Sequence, residues 1–212
     1  MNCRKKLSII TAAILLCIAT AGTNRLHAAT TGEVLQQAQL NSTLQGNYAF
    51  TAWRSCVQTL YAPGFDRTTH ALLTDGESMS FVEAGTVRFN GNGTLKIVDA
   101  RVTKVNNGPP SAGTKPIEAG LRSSCTGTYA VRPDRSCSID MTCSAPLPGN
   151  MLMTMKPFHY DGAIDTLNKT LTFSESDGTI QTITLLLNGS PINTSERICA
   201  SSGTMIQTAG KE

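Results

Sequence analysis

The sequence lacks most of the motifs by which enzymes and metal proteins are recognised. It has no Gly-x-Ser-x-Gly, no phosphate-binding loop and no His-Glu-x-x-His, so the common serine-hydrolase, nucleotide-binding and zinc-protease signatures are missing. It also has no Cys-x-x-Cys, and His70 and His159 stand far apart without the spacing of metal ligands. We therefore expect neither a metal site nor a cofactor.

Charged residues are few, at 16% of the chain, and the excess of positive charge is confined to the first 28 residues. That segment carries four of the 18 Lys and Arg residues and none of the 15 Asp and Glu residues, which leaves 14 bases against 15 acids in the remainder. No block of Lys or Arg remains beyond it. We therefore expect no nucleic-acid partner and no binding to an anionic membrane surface.

The N-terminus has the pattern of a secretory signal peptide. A basic segment, Arg4–Lys6, precedes an apolar run, Leu7–Ala19, that is shorter than the roughly 20 residues needed to span a bilayer. Small residues allow cleavage after Ala21 or after Ala28, and we favour Ala28. The pattern predicts a signal peptide over residues 1–28, no membrane span after its removal, and a secreted or periplasmic location.

Five cysteines remain after this segment, which is an odd number for an oxidising compartment. Two disulfides and one free thiol are the simplest outcome. Cys137 and Cys143 lie on one predicted strand, too far apart for a disulfide when the chain is extended. A hairpin brings Cys125 opposite Cys143, and this is the first pairing that we expect. The second is Cys56 with Cys199, whose strands meet if the sheet closes on itself.

From Gly46 onward the sequence alternates with a period of two, which is typical of β-strands. Turn signals such as Asn90–Gly91 separate eight or nine of these strands. We predict an all-β fold, an eight-stranded antiparallel up-and-down barrel over residues 46–208, because closure removes edge strands. A two-sheet sandwich has the same strand count and is the alternative.

Segments outside this alternation complete the domain organisation. Residues 29–45 form an N-terminal segment that contains one predicted helix, Glu33–Leu40, with apolar residues at helical spacing. Long loops are expected over Thr59–Asp75 and over Asn106–Gly120, where prolines offer no backbone donors to a ladder. A bulge or bend is expected at Glu83–Gly85.

Three segments of the chain share a phrase in which a glycine leads an aromatic strand. They are Gly46-Asn47-Tyr48-Ala49-Phe50, Gly85-Thr86-Val87-Arg88-Phe89-Asn90-Gly91-Asn92-Gly93 and Gly127-Thr128-Tyr129-Ala130-Val131-Arg132-Pro133-Asp134. These phrases resemble those of secreted bacterial proteins with a calycin-type, allene-oxide-cyclase-like barrel, in order over about residues 44–208. Asn90 stands where that family usually has Asp. The resemblance implies an eight-stranded barrel and export, and it implies no established activity.

Aromatic and methionine side chains are the candidate ligand-binding residues. Met151, Met153 and Met155 share one face of a strand, and their soft side chains suit an apolar cavity. Tyr48 and Phe50 belong to the first strand of the predicted barrel. A barrel of eight strands is wide enough either to fill itself with side chains or to hold one small ligand. We therefore expect either an ordinary core or a site for a small apolar ligand.

Catalytic candidates are few. His159 and Asp161 are two residues apart on a strand, so they share a face and the carboxylate could orient the imidazole. The alternative is a strand end that runs into a turn at Asp161–Gly162. Glu83 is an isolated carboxylate. We favour a protein without catalysis; the alternatives are a cyclase or isomerase that uses the barrel cavity, and a structural or surface-interaction protein.

Overall fold

A computed structural model describes residues 31–105, 117–175 and 178–208 of the chain. The expected signal segment and most of the expected loop Asn106–Gly120 lie outside the described residues. One helix, α1 (Thr31–Asn41), precedes nine strand segments. In chain order these are β1 (Gln45–Thr59), β2 (Gly76–Asn90), β3 (Thr94–Val105), β4 (Ile117–Val131), β5 (Ser136–Leu147), β6 (Met151–Ile164), β7 (Thr170–Glu175), β8 (Ile180–Leu187) and β9 (Ser190–Gln207).

The strands form one antiparallel ring. Each strand from β1 to β6 pairs with the next one in the chain, and β9 closes the ring by pairing with β1. β7 and β8 share one position between β6 and β9, because β7 pairs with the end of β6 and β8 with its beginning. The ring therefore has eight positions. This confirms the prediction of an all-β chain with eight antiparallel strands and one short helix.

The alternation of the first strand places one set of its side chains inside the ring. Tyr48, Phe50, Ala52 and Cys56 are all buried, whereas the odd-numbered residues between them are exposed. Arg54 has the same phase as these apolar residues and is buried with them, at 2% exposure. The alternation of this strand thus places one charged side chain inside the barrel.

One end of the barrel is filled by aromatic side chains. Phe89 packs edge-to-face against Tyr48 and Tyr129, with ring centroids 5.3 and 5.0 Å apart. The hydroxyl of Tyr129 donates a hydrogen bond to the carbonyl of Leu44 at 2.7 Å. Asn41 Oδ1 accepts one from the backbone of β4 at 3.0 Å. These contacts pack the helix end and the aromatic rings together at this end of the barrel.

Two glycines of the repeated phrase are required by the geometry of the wall. Gly46 has a φ of 105°, in the region that glycine adopts readily and other residues avoid. A Cβ at Gly127 would lie 2.0 Å from the backbone oxygen of Asp140 on the neighbouring strand. The phrase therefore marks positions where strands turn or approach closely.

Two disulfides join neighbouring strands. Cys56 of β1 is bonded to Cys199 of β9, and Cys125 of β4 to Cys143 of β5. These are the two pairings expected from the sequence, and Cys137 carries a free, buried thiol. Disulfides of this kind form in non-reducing compartments outside the cytoplasm. Across the described residues, no helix has the length and hydrophobicity to cross a membrane.

The expected long loop before β4 needs a correction. β4 begins at Ile117, which pairs with Val105, so residues 117–120 are strand rather than loop. The ladder with β3 supplies hydrogen bonds to this backbone, and pairing of this kind outweighs a sequence poor in β-formers. The break expected at Glu83–Gly85 lies close to the observed irregularity, which falls between Ala84 and Val87.

Candidate functional site

The other half of the barrel, away from the Tyr48–Phe89–Tyr129 cluster, is hollow. It contains a cavity of about 240 Å³. A cavity of roughly 150 Å³ in another protein binds benzene, so this one has room for a larger ring system or a short chain. The lining is mostly apolar. Five of the seven methionines contribute to it, namely Met79, Met141, Met153, Met155 and Met205.

A bulge in β6 decides which side chains enter this cavity. Residues 156–157 stand opposite a single residue of β5, and the proline at this point has no N–H to donate to a ladder. Before the bulge, Met153 and Met155 line the cavity; after it, Phe158 and Tyr160 do. The inward face therefore changes from odd-numbered to even-numbered residues within one strand.

This reversal separates two of the expected catalytic residues from the cavity. The side chains of His159 and Asp161 lie on the outer face, 31% and 65% exposed. His159 Nδ1 is 2.8 Å from Asp140 Oδ1 of the neighbouring strand, and Nε2 is 3.7 Å from Asp161 Oδ2. Glu83, by contrast, lines the cavity. Within the described part of the chain, no group of three or more His, Cys, Asp or Glu residues is placed to hold a metal ion.

The expected ligand-binding residues divide between the two halves of the barrel. Phe50, Met153 and Met155 line the cavity. Tyr48 belongs to the filled end, where its ring contacts Phe89. Met151 begins β6 and is not part of the lining. The three lining residues form one apolar surface with the other methionines.

A buried arginine, Arg54, lines the cavity and faces two carboxylates. Arg54 Nη1 is 3.5 Å from Glu83 Oε1, and its Nε is 4.0 Å from Glu175 Oε2. Its Nη2 donates a hydrogen bond to the hydroxyl of Tyr160. Burial acts to lower the pKa of Arg54, but the three neighbours outweigh it and the net shift is upward. The guanidinium therefore stays charged in the interior.

Glu175, at the end of β7, is the second carboxylate that faces Arg54. It is 2% exposed. Its Oε1 accepts a hydrogen bond from Gln181 Nε2, and its Oε2 accepts one from Ser201 Oγ at 3.2 Å. Burial raises the pKa of Glu175, while Arg54 and the two donors act in the opposite direction. The carboxylate is therefore held in place by partners that favour its charged form.

A second buried arginine, Arg197 of β9, has neutral groups as its direct partners. Its Nε donates a hydrogen bond to Gln181 Oε1 at 2.7 Å, and its Nη2 is 3.6 Å from Met155 Sδ. The guanidinium carbon lies 5.6 Å from the ring centroids of both Phe81 and Phe158. Among the residues that the structure describes, no carboxylate lies within 4.0 Å of Arg197.

Arg197 remains protonated in this environment. Burial, followed by repulsion from Arg54, lowers the pKa of Arg197 to about 10. At neutral pH the guanidinium is still almost entirely protonated, because that value lies well above 7. The cavity thus contains a buried cation whose partners are an amide oxygen, a thioether and two aromatic rings.

Neither arginine was singled out from the sequence, although a signal for both was present. Arg54 shares the even-numbered phase of Tyr48, Phe50 and Cys56. Arg197 shares the phase of Cys199 and Met205 in the last strand. A charged residue in the inward phase of a barrel strand indicates either an internal ion pair or a ligand contact.

The free thiol of Cys137 is expected to react slowly. Burial raises its pKa to about 11, so at pH 8 only about one thiol in 10³ is ionised, against about a quarter for an ordinary cysteine. Alkylation of Cys137 by iodoacetamide in the folded protein is predicted to be roughly 10²-fold slower than in the chain unfolded in guanidinium chloride. Peptide mass spectrometry against time measures both rates. Equal rates would contradict a buried, protonated thiol.

Comparison with models of known protein families and with curated proteins gives no match to this chain. The chemistry of the cavity therefore follows from the residues of this chain alone.

Proposed function

We propose that the chain is an exported protein that binds one small apolar or amphipathic molecule in the hollow half of its barrel. The observation that carries this proposal is the cavity of about 240 Å³ with its largely apolar lining. Concave, mostly apolar sites with a few placed polar groups are typical of ligand pockets. Methionine is well suited to such a lining, because its flexible thioether adapts to different shapes.

The cost of leaving this space empty also supports the proposal. Protein interiors are normally close-packed, and unfilled cavities destabilise the fold. A ligand that fills the space restores the missing dispersion contacts.

Export is supported by two independent features. The N-terminus has the basic and apolar regions of a secretory signal, and the two disulfides suit an oxidising compartment. We place the protein in the periplasm or outside the cell. The glycine-led phrases together with the eight-position ring support membership of the calycin-like family of secreted bacterial barrels, which is part of the same proposal.

Two other functions fit fewer of the described residues. A cyclase or isomerase would need a reactive polar group in the cavity; His159 and Asp161 lie outside it, and Glu83 is paired with Arg54. A surface-interaction role finds support in the connection between β1 and β2. That connection exposes four large apolar side chains, those of Leu60, Tyr61, Leu72 and Leu73. Binding inside the barrel accounts for the cavity without needing a reactive group in it, whereas a surface-interaction role does not require the cavity.

Filling the cavity is expected to abolish binding of an apolar probe. Ala145 of β5 is buried and lines the cavity, so Ala145→Leu extends a larger side chain into it. Wild type is expected to bind one molecule of 2-naphthamide, and Ala145→Leu to bind it at least about tenfold more weakly, a loss of 1.4 kcal/mol or more. Equilibrium dialysis with absorbance detection measures both dissociation constants.

The matched control is Thr142→Leu, which adds the same side chain on the exposed face of the same strand. Its affinity for 2-naphthamide should equal that of wild type. The proposal fails if wild type does not take up the probe, or if the two leucine variants lose affinity equally.

A further inference from the structure

The two buried arginines of the cavity differ in how their charge is balanced. Lys104, a third cation of the lining, is paired with Glu77 at 3.6 Å and is partly exposed. Both deeper carboxylates, Glu83 and Glu175, face Arg54. Arg197 has no carboxylate within 4.0 Å among the described residues. Of these cations, Arg197 is therefore the one without a direct ion-pair partner, although Glu83 and Glu175 still raise its pKa from farther away.

A second observation concerns a missing acceptor at Arg54, the other buried arginine of the lining. Arg54 Nε is buried and has no hydrogen-bond partner within the described residues, although its side chain lines the cavity. A buried polar atom without a partner is uncommon and costs free energy. The acceptors nearest to Arg197 are weak, since a thioether sulfur is a poor acceptor and the amide of Gln181 is neutral.

A buried charge is expensive unless it is paired and hydrogen-bonded. Guanidinium groups bind carboxylates through parallel N–H donors, and such charge-assisted bonds are stronger than those between neutral groups. A ligand that carries an anionic oxygen group would supply the direct ion-pair partner that Arg197 lacks, together with strong acceptors for its N–H groups.

We infer that the ligand of this cavity is an amphipathic anion, a small organic carboxylate whose head group contacts Arg197 and Arg54 and whose apolar body lies among the methionines. The inference rests on the proposed binding function and adds the charge of the ligand. A cationic ligand fits less well, because the guanidinium carbons of Arg54 and Arg197 already lie 4.7 and 5.6 Å from the ring centroid of Phe158. That of Arg197 also lies 5.6 Å from the ring centroid of Phe81.

A pair of probes that differ only in charge tests this inference. 2-Naphthoate is ionised at pH 7, and 2-naphthamide has nearly the same shape without the charge. Wild type is expected to bind 2-naphthoate at least about tenfold more tightly than 2-naphthamide. Arg197→Met, which keeps the length of the side chain and removes its charge, is expected to bind the two probes equally. The readout is the ratio of the two dissociation constants for each protein, because a change of cavity shape affects both probes alike.

Arg197→Lys and Arg197→Gln provide a second comparison, which decides the question if the methionine variant does not retain its cavity. The lysine variant should keep part of the preference for 2-naphthoate, and the glutamine variant should lose it. Equal binding of both probes by wild type would overturn the inference and leave the binding function intact. No binding of either probe would overturn both. A preference for 2-naphthoate that persists in the methionine or glutamine variant would also overturn the inference.

Discussion

Removal of the Cys56–Cys199 disulfide, by Cys56→Ala together with Cys199→Ala, is expected to lower the free energy of unfolding by about 5 kcal/mol. The bond joins residues 143 positions apart and lies where the last strand meets the first. Its loss frees a long segment in the unfolded chain, and the gain in chain entropy grows with the length of that segment. For a domain of this size, the melting temperature should fall by roughly 10–20 °C.

The second disulfide provides the matched control. Cys125 and Cys143 are 18 positions apart, so the corresponding double alanine variant should lose about 3 kcal/mol. Unfolding in guanidinium chloride, followed by circular dichroism, gives both values. A loss for the Cys125–Cys143 variant that equals or exceeds that of the Cys56–Cys199 variant would contradict the role of the long bond in closing the ring.

Replacement of Arg54 by methionine is expected to destabilise the protein by about 3–5 kcal/mol at pH 7. Methionine fills a similar volume and leaves the apolar contacts of the side chain largely in place. What is lost is the cation that Glu83 and Glu175 face and the donor to the hydroxyl of Tyr160. Two carboxylates then stand in the interior without a direct ion-pair partner, which is costly.

This loss should depend on pH. Burial raises the pKa of Glu175 above its ordinary value of 4.5, and Arg54 offsets part of that rise. Without Arg54 the pKa in the folded state rises further. A raised folded pKa gives stability that is fully present below the unfolded pKa and is lost as pH rises through the folded pKa. The deficit of Arg54→Met relative to wild type should therefore be larger at pH 7 than at pH 4.

The double variant Arg54→Met with Glu175→Gln separates the charge effect from a packing effect. Glutamine keeps an acceptor for Gln181 and carries no charge, so about 1–2 kcal/mol should return at pH 7. Denaturant unfolding at the two pH values measures all three proteins. An equal deficit at both pH values, with no recovery in the double variant, would show that the ion cluster does not cause the loss.

The wall of the barrel was predictable from sequence because its determinants are local. The alternation through Tyr48 and Phe50 fixes which face of the first strand is buried, and Asn90–Gly91 fixes a turn. The pairing of Cys56 with Cys199 followed from closure, since it requires only that the first and last strands be neighbours. Each of these inferences depends on residues close together in sequence or on one topological assumption.

The contents of the cavity were not predictable in the same way. The bulge at residues 156–157 shifts the phase of β6 by one residue, so an unbroken period of two predicts the wrong face for His159. The break between β7 and β8 lets Glu175 and Gln181 approach each other on one side of the ring. The contact of Glu175 with Arg54 joins strands that are far apart in the sequence, so no local sequence pattern predicts it.

The methionines allow the most direct test of binding inside the barrel. With ¹³C-labelled methyl groups, the five methionines of the lining report on the cavity, and Met151, which lies outside the lining, serves as an internal control. On titration with 2-naphthamide, ring-current shifts are expected at Met79, Met141, Met153, Met155 and Met205, with nuclear Overhauser contacts between these methyl groups and the probe. Met151 should not shift. Shifts at Met151 alone, or none at any of the six at saturating probe, would contradict a ligand site in the cavity.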